Sequence, residues 1–415
     1  MMADWTRLDW TRITTAARNA QAMSEEPWCG YIYDLELLRQ HAQRLVASLP
    51  ANCDLFYAIK ANSEYPILDT LAPLVAGFEI ASGGELTWVR ERFPDLPVVF
   101  GGPGKTDAEL VQALRSGIEY IHVESIGELV RLGQLARQHG VRQAILLRIN
   151  LPLAQAHDVP LAMGGKATPF GIDVALLPEC LHLLDGFPEL TLDGVHFHLM
   201  SGQLDATVHL RLLEHYFTTL TQWEKIYGLT MRHINVGGGI GVNYRDPTRP
   251  FDWPTFTQGL HDIIDHMDLG RWRIRFEIGR FLTAGCGAYG MEVLDIKRSF
   301  GRTFVVGRGG THHFRTPYAQ GHSHPFFVLP IDRWSRAYPR LTANAEQVTV
   351  VGQLCTPKDV LATDAPVERI RVGDLLIFTL AGAYAWHISH HAFLRHPHPE
   401  QIYLGSQESM NVASE

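Results

Sequence analysis

From residue 54 to residue 280, short runs of β-branched and aromatic residues alternate with longer segments whose apolar positions recur every three or four residues. The first pattern is that of buried strands, the second that of helices with one apolar face. The runs predict strands at DLFYAIK (54–60), FEIA (78–81), PVVFGG (97–102), YIHVE (120–124), AILLRIN (144–150), LDGVHFHL (192–199), HINVGGG (233–239) and IRFEIG (274–279). Segments such as ELVQALRSG and ELVRLGQLARQHG read as the helices between them. Three helices begin with a capping signal: Ser82, Thr106 and Ser125 each have a glutamate three residues on, the spacing that satisfies the free N–H groups of a first turn.

Eight strand-then-helix units in roughly 230 residues fit an α/β fold, a (β/α)8 TIM barrel, whose usual length is about 250 residues. An open doubly wound sheet is the alternative. A barrel gathers strand-end residues at one mouth, which here are Lys60, Ser82, Glu124, Arg148, His198, Gly237 to Gly239 and Glu277. After Arg280 the pattern changes to strand signals without regular helices, as in MEVLDIKRSF, RTFVVGRGG, HPFFVLP, QVTVVGQLC and RIRVGDLLIFTLAG. The expected organisation is an N-terminal segment (1–30) packing on the β domain, a barrel (31–280), and a C-terminal β-rich barrel or sandwich domain (281–415).

Composition narrows the class. A chain of 415 residues exceeds what one core usually serves. Its 46% apolar and 19% charged residues exclude a disordered chain. A net charge of −8 without a long basic run offers nucleic acid no electrostatic footprint. MMADWTRLDW lacks the apolar centre of a signal peptide, and LLIFTLAGAYAW (375–386) is too short to cross a bilayer, so a cytoplasmic protein without a membrane partner is expected. Cys29, Cys53, Cys180, Cys286 and Cys355 are scattered and never in CxxC spacing, which favours free thiols over disulfides or a zinc knuckle.

Three features carry chemistry. FYAIKAN puts Lys60 at the end of an apolar run, where an ammonium must be solvated, paired or held unprotonated; with a depressed pKa it forms a Schiff base with a carbonyl cofactor. In NVGGGIG, Gly237, Gly238 and Gly239 let backbone N–H groups approach a phosphate, although such a run also serves as a plain turn. FEIGR sends Glu277 and Arg280 off the last barrel strand. The arginine suits a phosphate and the glutamate a ring nitrogen, unless the two pair with each other. A lysine for an imine, a phosphate cradle and an acid for a pyridinium nitrogen together match pyridoxal 5′-phosphate.

With these motifs the chain resembles the fold type III pyridoxal phosphate decarboxylases, the family of the diaminopimelate, ornithine and arginine enzymes, built on an alanine racemase-like barrel. The resemblance covers roughly residues 30 to 405. YAIKAN is similar to the cofactor-lysine motif, making Lys60 the Schiff-base residue, and GFEIASGGEL to the second-strand signature. In HFHLMSG, His198 matches the histidine that stacks on the cofactor and Ser201 a phosphate contact. Gly237, Gly238, Gly239, Glu277 and Arg280 fall on the phosphate and pyridine-nitrogen positions, and GAY supplies Tyr384. GQLCTPKD resembles the segment whose cysteine, here Cys355, acts in the partner subunit's site, which implies a homodimer with shared sites. The implied activity is decarboxylation of an amino acid, with Cys355, Lys60 or a histidine protonating Cα.

Where relatives follow that cysteine with an acid for a distal amine, this chain has Thr356. From Lys297 to Ile331 there is no aspartate or glutamate, while Arg298, Arg302, Arg308 and Arg315 occur with His312, His313, His322 and His324. If this stretch lines the pocket, with Arg315 and Thr356 as substrate contacts, its field favours an anionic substrate. Two smaller departures are TPFG (168–171), where relatives have lysine before phenylalanine, and EIGR, where isoleucine replaces proline. HISHHAFLRHPHPEQIYL (387–404) and GQLC resemble the siderophore-biosynthesis branch, in which an amino acid joined to citrate loses carbon dioxide. Alternative readings are a basic-amino-acid decarboxylase, an amino-acid racemase, and a silent regulatory homologue, the last opposed by retention of Lys60, Glu277, Arg280 and Cys355. The histidines of the 387–398 stretch lack metal-ligand spacing, so no metal is expected.

Overall fold

The computed structural model describes residues 10–152, 161–162, 164–405 and 410–411. Strand β1 (Cys29–Asp34) comes first and belongs to the second domain. The next eight, β2 (Cys53–Ala58), β3 (Gly77–Ile80), β4 (Val98–Phe100), β5 (Tyr120–Val123), β6 (Gln143–Asn150), β7 (Leu190–His196), β8 (His233–Asn235) and β9 (Arg273–Ile278), are the eight expected from sequence. All run parallel in the order β5-β4-β3-β2-β9-β8-β7-β6. Pairing of β5 with β6, Val123 opposite Leu147, closes the ring. The open-sheet alternative therefore falls.

Closure follows from burial. Strands β3, β4 and β5 are buried at every position, as befits a parallel sheet covered by helices outside and filled by side chains within. One packed group, Phe56, Val99, Tyr120 and Leu146, draws on four different strands. The helix starts are capped as expected: Ser82 Oγ accepts from Glu85 N (3.1 Å), Thr106 Oγ1 from Glu109 N (3.3 Å) and Ser125 Oγ from Glu128 N (3.0 Å). The reciprocal glutamate contact forms only at Thr106. Ser82 is thus spent on a helix cap at the strand end and does not line the cavity there. Glu128 reaches instead to Lys105 Nζ (2.7 Å), an ion pair buried on both sides.

The second domain is a mostly antiparallel sheet. In it β1 lies between Gly287–Ser299, antiparallel, and Glu400–Leu404, parallel. The helix Trp10–Met23 packs Ile13 and Ala17 with Trp28, Ile32, Leu329, Leu375 and Ile377 of this sheet; residues 1–9 of the N-terminal segment lie outside the described residues. RIRVGDLLIFTLAG is two strands rather than one, Val360–Arg371 and Leu375–Phe378. The break is at Gly373 (φ +83°) and the buried Asp374, which accepts from Ile331 N (2.8 Å) and Arg371 N (2.9 Å).

The two units meet at the C-terminal mouth of the barrel. Tyr384 N donates to Ala61 O (2.7 Å), and Asn62 Nδ2 to Gly382 O (3.1 Å). A Cβ at Gly382 would lie 2.0 Å from Thr283 O, so the loop carrying Tyr384 closes only with glycine there. Tyr384 itself sits at φ +49°, a left-handed conformation unfavourable for a side chain. Among the described residues no helix is long and apolar enough to cross a membrane.

Candidate active site

A cavity of about 440 Å³ opens at the strand ends, with Lys60, Glu79, Arg148, His198, Ser201, Glu277, Arg280 and Tyr384 in its walls. A larger open groove of about 1090 Å³ lies along the β domain and holds none of the expected site residues.

Lys60 stands on a short turn (Ile59–Ala61) that ends β2. Its Nζ lies 2.7 and 2.8 Å from the two oxygens of Glu79, which is buried in the middle of β3. Burial pulls the ammonium's pKa down, but Glu79, Tyr384 and Glu277 outweigh it, and the net shift is upward. The depressed pKa expected from sequence is therefore absent in the free lysine, because a carboxylate on the neighbouring strand holds the proton. Glu79 was not singled out in the sequence, although an acid inside the four-residue apolar strand GFEI is the signal of a paired charge.

Glu277, near the end of β9, accepts from Asn235 Nδ2 on β8 (2.7 Å). Behind it lie two buried imidazoles, His122 (Nδ1 to Oε1, 3.6 Å) and His196 (Nε2 to Oε2, 3.5 Å). Burial and the nearby Glu79 push its carboxyl up to about 8, against the opposing pull of Lys60, Asn235 and Arg148. No pair forms between Glu277 and Arg280. Arg280 Nη1 donates to Tyr244 OH (2.7 Å), and its guanidinium lies 4.4 Å from the Tyr384 ring centre.

The glycine run is a cradle with no room for side chains. A Cβ on Gly237 would meet His198 Nδ1 at 2.3 Å, on Gly238 the Glu277 carbonyl at 2.1 Å, and on Gly239 the Met200 carbonyl at 2.5 Å. Gly237 and Gly239 also have φ of +69° and +88°. His198 accepts from Gly238 N at Nδ1 (3.2 Å), which places its proton on Nε2. Burial lowers its pKa well below the ordinary value, so it is a neutral ring. Arg148 is tied to Glu124 (2.7 Å) and lies over Phe170 of the TPFG stretch.

Cys355, Thr356 and Arg315 are not in this cavity. Cys355 is exposed on a loop of the β domain. That loop is pinned by the buried Asp359, which accepts from Thr311 N (2.6 Å) and Leu354 N (2.8 Å). Arg315 is exposed, with its backbone N–H on Ser389 Oγ (3.0 Å). The cationic stretch is also smaller than its sequence suggests. Arg298 pairs with Glu346 (2.8 Å) and Arg302 with Asp364 (2.7 Å), acids that reach across one intervening strand of the sheet, while His312 and His313 are buried and held neutral by that burial. Arg308, bonded to Gln353 Oε1 (2.9 Å), and Arg315 keep their charge uncompensated among the described residues.

His122, His196 and Glu277 are close enough to suit a metal ion. Asn235 argues otherwise. Its Oδ1 takes the N–H of Gly237 (2.9 Å), so Nδ2 faces His122 Nε2 (3.4 Å) and occupies that lone pair; the ring proton then sits on Nδ1, toward Glu277.

Pyridoxal 5′-phosphate fits these residues: a glycine turn, bare of side chains, that brings Gly239 to the cavity wall, an arginine free of carboxylates among the described residues, an acid with a raised pKa awaiting a cationic partner, and a lysine in the same cavity. Without the cofactor, Glu277 stays protonated in the fold up to about pH 8, whereas a carboxyl of ordinary pKa (4.5) ionises in the unfolded chain. The folded state holds more protons over that range, so this residue lowers stability as pH rises from 4.5 to about 8. Cofactor-free Glu277→Gln is therefore expected to gain on wild type in melting temperature across that window. Parallel melting curves would contradict this.

Residues 35–284 match the family described as pyridoxal-dependent decarboxylase, pyridoxal binding domain. The chain is 43% identical over 378 residues to the Staphylococcus aureus 2-[(L-alanin-3-ylcarbamoyl)methyl]-2-hydroxybutanedioate decarboxylase, covering 91% of this chain and 94% of that one. It is 29% identical over 380 residues to the L-glutamyl-[BtrI acyl-carrier protein] decarboxylase of Niallia circulans, covering 90% and 87%. Among solved structures, Helicobacter pylori diaminopimelate decarboxylase complexed with L-lysine superimposes with a TM-score of 0.81 at 26% identity, over 94% of each chain. A closed parallel barrel carrying this lysine, glutamate and glycine set, matched across most of its length by such relatives, makes the chain a member of the pyridoxal-dependent decarboxylase family, with pyridoxal phosphate as its cofactor.

Proposed function

We propose that the protein decarboxylates an amino acid carried in amide linkage on a polycarboxylate such as citrate, a reaction of siderophore biosynthesis. The observation that carries this reading is the 43% identity, over 91% of the chain, to an enzyme whose named substrate is a citrate amide of this kind. The Niallia circulans relative also acts on an amino acid attached to a larger carrier. The loop Gly352–Asp359 agrees. Its acid, Asp359, is turned inward and engaged, leaving Cys355, Pro357 and Lys358 exposed, so the loop has no carboxylate for a free distal amine.

When bound, pyridoxal phosphate supplies the sink for the electron pair left as carbon dioxide departs. Lys60 would carry the cofactor, and Glu79 beside it holds a proton on the free amine. The backbone at the Gly237 to Gly239 turn, Ser201, Arg280 and Tyr384 would hold the phosphate, His198 would cover a ring face, and Glu277 would hold the proton at the ring nitrogen. Cys355 and Arg315 serve the cavity of a second chain in a homodimer, the thiol protonating Cα and the guanidinium meeting a substrate carboxylate.

The test is a panel of substrates offered to purified holoenzyme, with loss of carbon dioxide followed by mass. The citryl amide of 2,3-diaminopropionate is expected to exceed free lysine, ornithine and diaminopimelate in kcat/KM by at least about 10²-fold, the cost of leaving a distal ammonium without a partner. Equal or better turnover of a free diamino acid overturns the proposal.

A further inference from the structure

We propose that His122 and His196 are positioning residues: as neutral N–H donors behind Glu277, they keep its carboxylate ionised and thereby keep the ring nitrogen of the bound cofactor protonated. Glu277 faces the cavity on one side and is backed on the other by the two imidazoles, His122 toward Oε1 and His196 toward Oε2. Both rings are buried, 0% and 3% exposed, and they pack on each other at 4.3 Å. Neither nitrogen of His196, nor Nδ1 of His122, has a hydrogen-bond partner among the described residues; the Glu277 oxygens, at 3.6 and 3.5 Å, are acceptors a small approach would engage.

Buried polar atoms without partners are costly, and here both rings have the same acceptor within reach. The tautomer of His122 is fixed by Asn235, whose amide is oriented by Gly237 N and spends the Nε2 lone pair. Its remaining proton, on Nδ1, points at Glu277. His196 has Glu277 Oε2 beside Nε2, and a proton there completes a carboxylate that accepts on both oxygens. In the cofactor-free fold Glu277 keeps its proton up to about pH 8; once a cationic ring faces it, donors to both oxygens favour the ionised form, and only that form holds a pyridinium N–H.

The other charges around Glu277 are already matched. Lys60 and Glu79 pair with each other and Arg148 with Glu124; beyond His122, Lys105 pairs with Glu128 and Arg275 with Glu119. The two imidazoles are the adjustable part of the site.

The experiment reconstitutes full-length protein with pyridoxal phosphate labelled with ¹⁵N in the ring and follows that nitrogen's NMR shift against pH, without substrate. Wild type is expected to show a pyridinium nitrogen beyond pH 8. In His122→Leu/His196→Leu its deprotonation midpoint should fall by at least about one pH unit, and in His122→Asn/His196→Gln, which retain neutral N–H donors, it should return toward wild type. A Leu double variant that binds cofactor and keeps the wild-type midpoint overturns the proposal. A nitrogen neutral at all pH in wild type refutes instead the pairing of Glu277 with the cofactor. Should the Leu variant not fold, histidine-¹⁵N-labelled wild type decides, with the His122 resonance identified by its loss in His122→Asn. A proton on Nδ1 supports the proposal and one on Nε2 overturns it.

Discussion

Lys60→Ala is expected to lose carbon dioxide release by at least about 10³-fold, because under the proposed function it removes the amine that would join the cofactor to the protein and present a proton to the substrate. Alanine also strips Glu79 of its counter-ion, and loss of activity alone would not separate chemistry from a disturbed site. Lys60→Arg makes that separation. Arginine keeps a cation beside Glu79 but never yields a free amine at working pH, so it cannot form an imine. The arginine variant is expected to melt close to wild type and to be as inactive as alanine. Activity within tenfold of wild type in the arginine variant would remove Lys60 from the mechanism.

The second large effect concerns Cys355. Its thiol is exposed on the β domain and absent from the cavity of its own chain, and the proposed homodimer would bring it to the partner's cavity. Cys355→Ala is expected to lose about 10²-fold in kcat, the usual worth of a placed proton donor. Mixed with Lys60→Ala after dissociation and reassociation, it should recover activity that neither variant has alone. Random pairing makes half of the dimers mixed, each with one intact site, so recovery should approach about one quarter of wild type. Failure to recover any activity, with mixed dimers demonstrated by mass, would show that Cys355 works within its own chain or not at all.

The barrel was legible because each parallel strand is buried on both faces and leaves a continuous apolar run, bounded here by caps that the sequence spells out at Ser82, Thr106 and Ser125. Lys60, the glycines, Glu277 and Arg280 were legible because each sits in a run whose local pattern demands an explanation, and the structure brings Lys60, Gly239, Glu277 and Arg280 to one cavity. Partnerships across strands were not. Glu79 neutralises Lys60 from β3, and Asn235 fixes His122 from β8, across separations of 19 and 113 residues. The same blindness inflated the cationic stretch, since Glu346 and Asp364 lie outside its sequence but reach Arg298 and Arg302 from the next strand but one in the sheet. In the β domain, Glu400–Leu404 escaped notice as a strand because the proline-rich run before it reads as loop; its pairing with β1 is what makes it one.

Everything argued for the site depends on where the cofactor is attached. Reduction of the holoprotein with borohydride, followed by peptide mapping, reads this directly. The account predicts one pyridoxyl-labelled peptide, containing FYAIKAN with the label on Lys60. A label on any other lysine, or a fully loaded protein that takes up none, would contradict it.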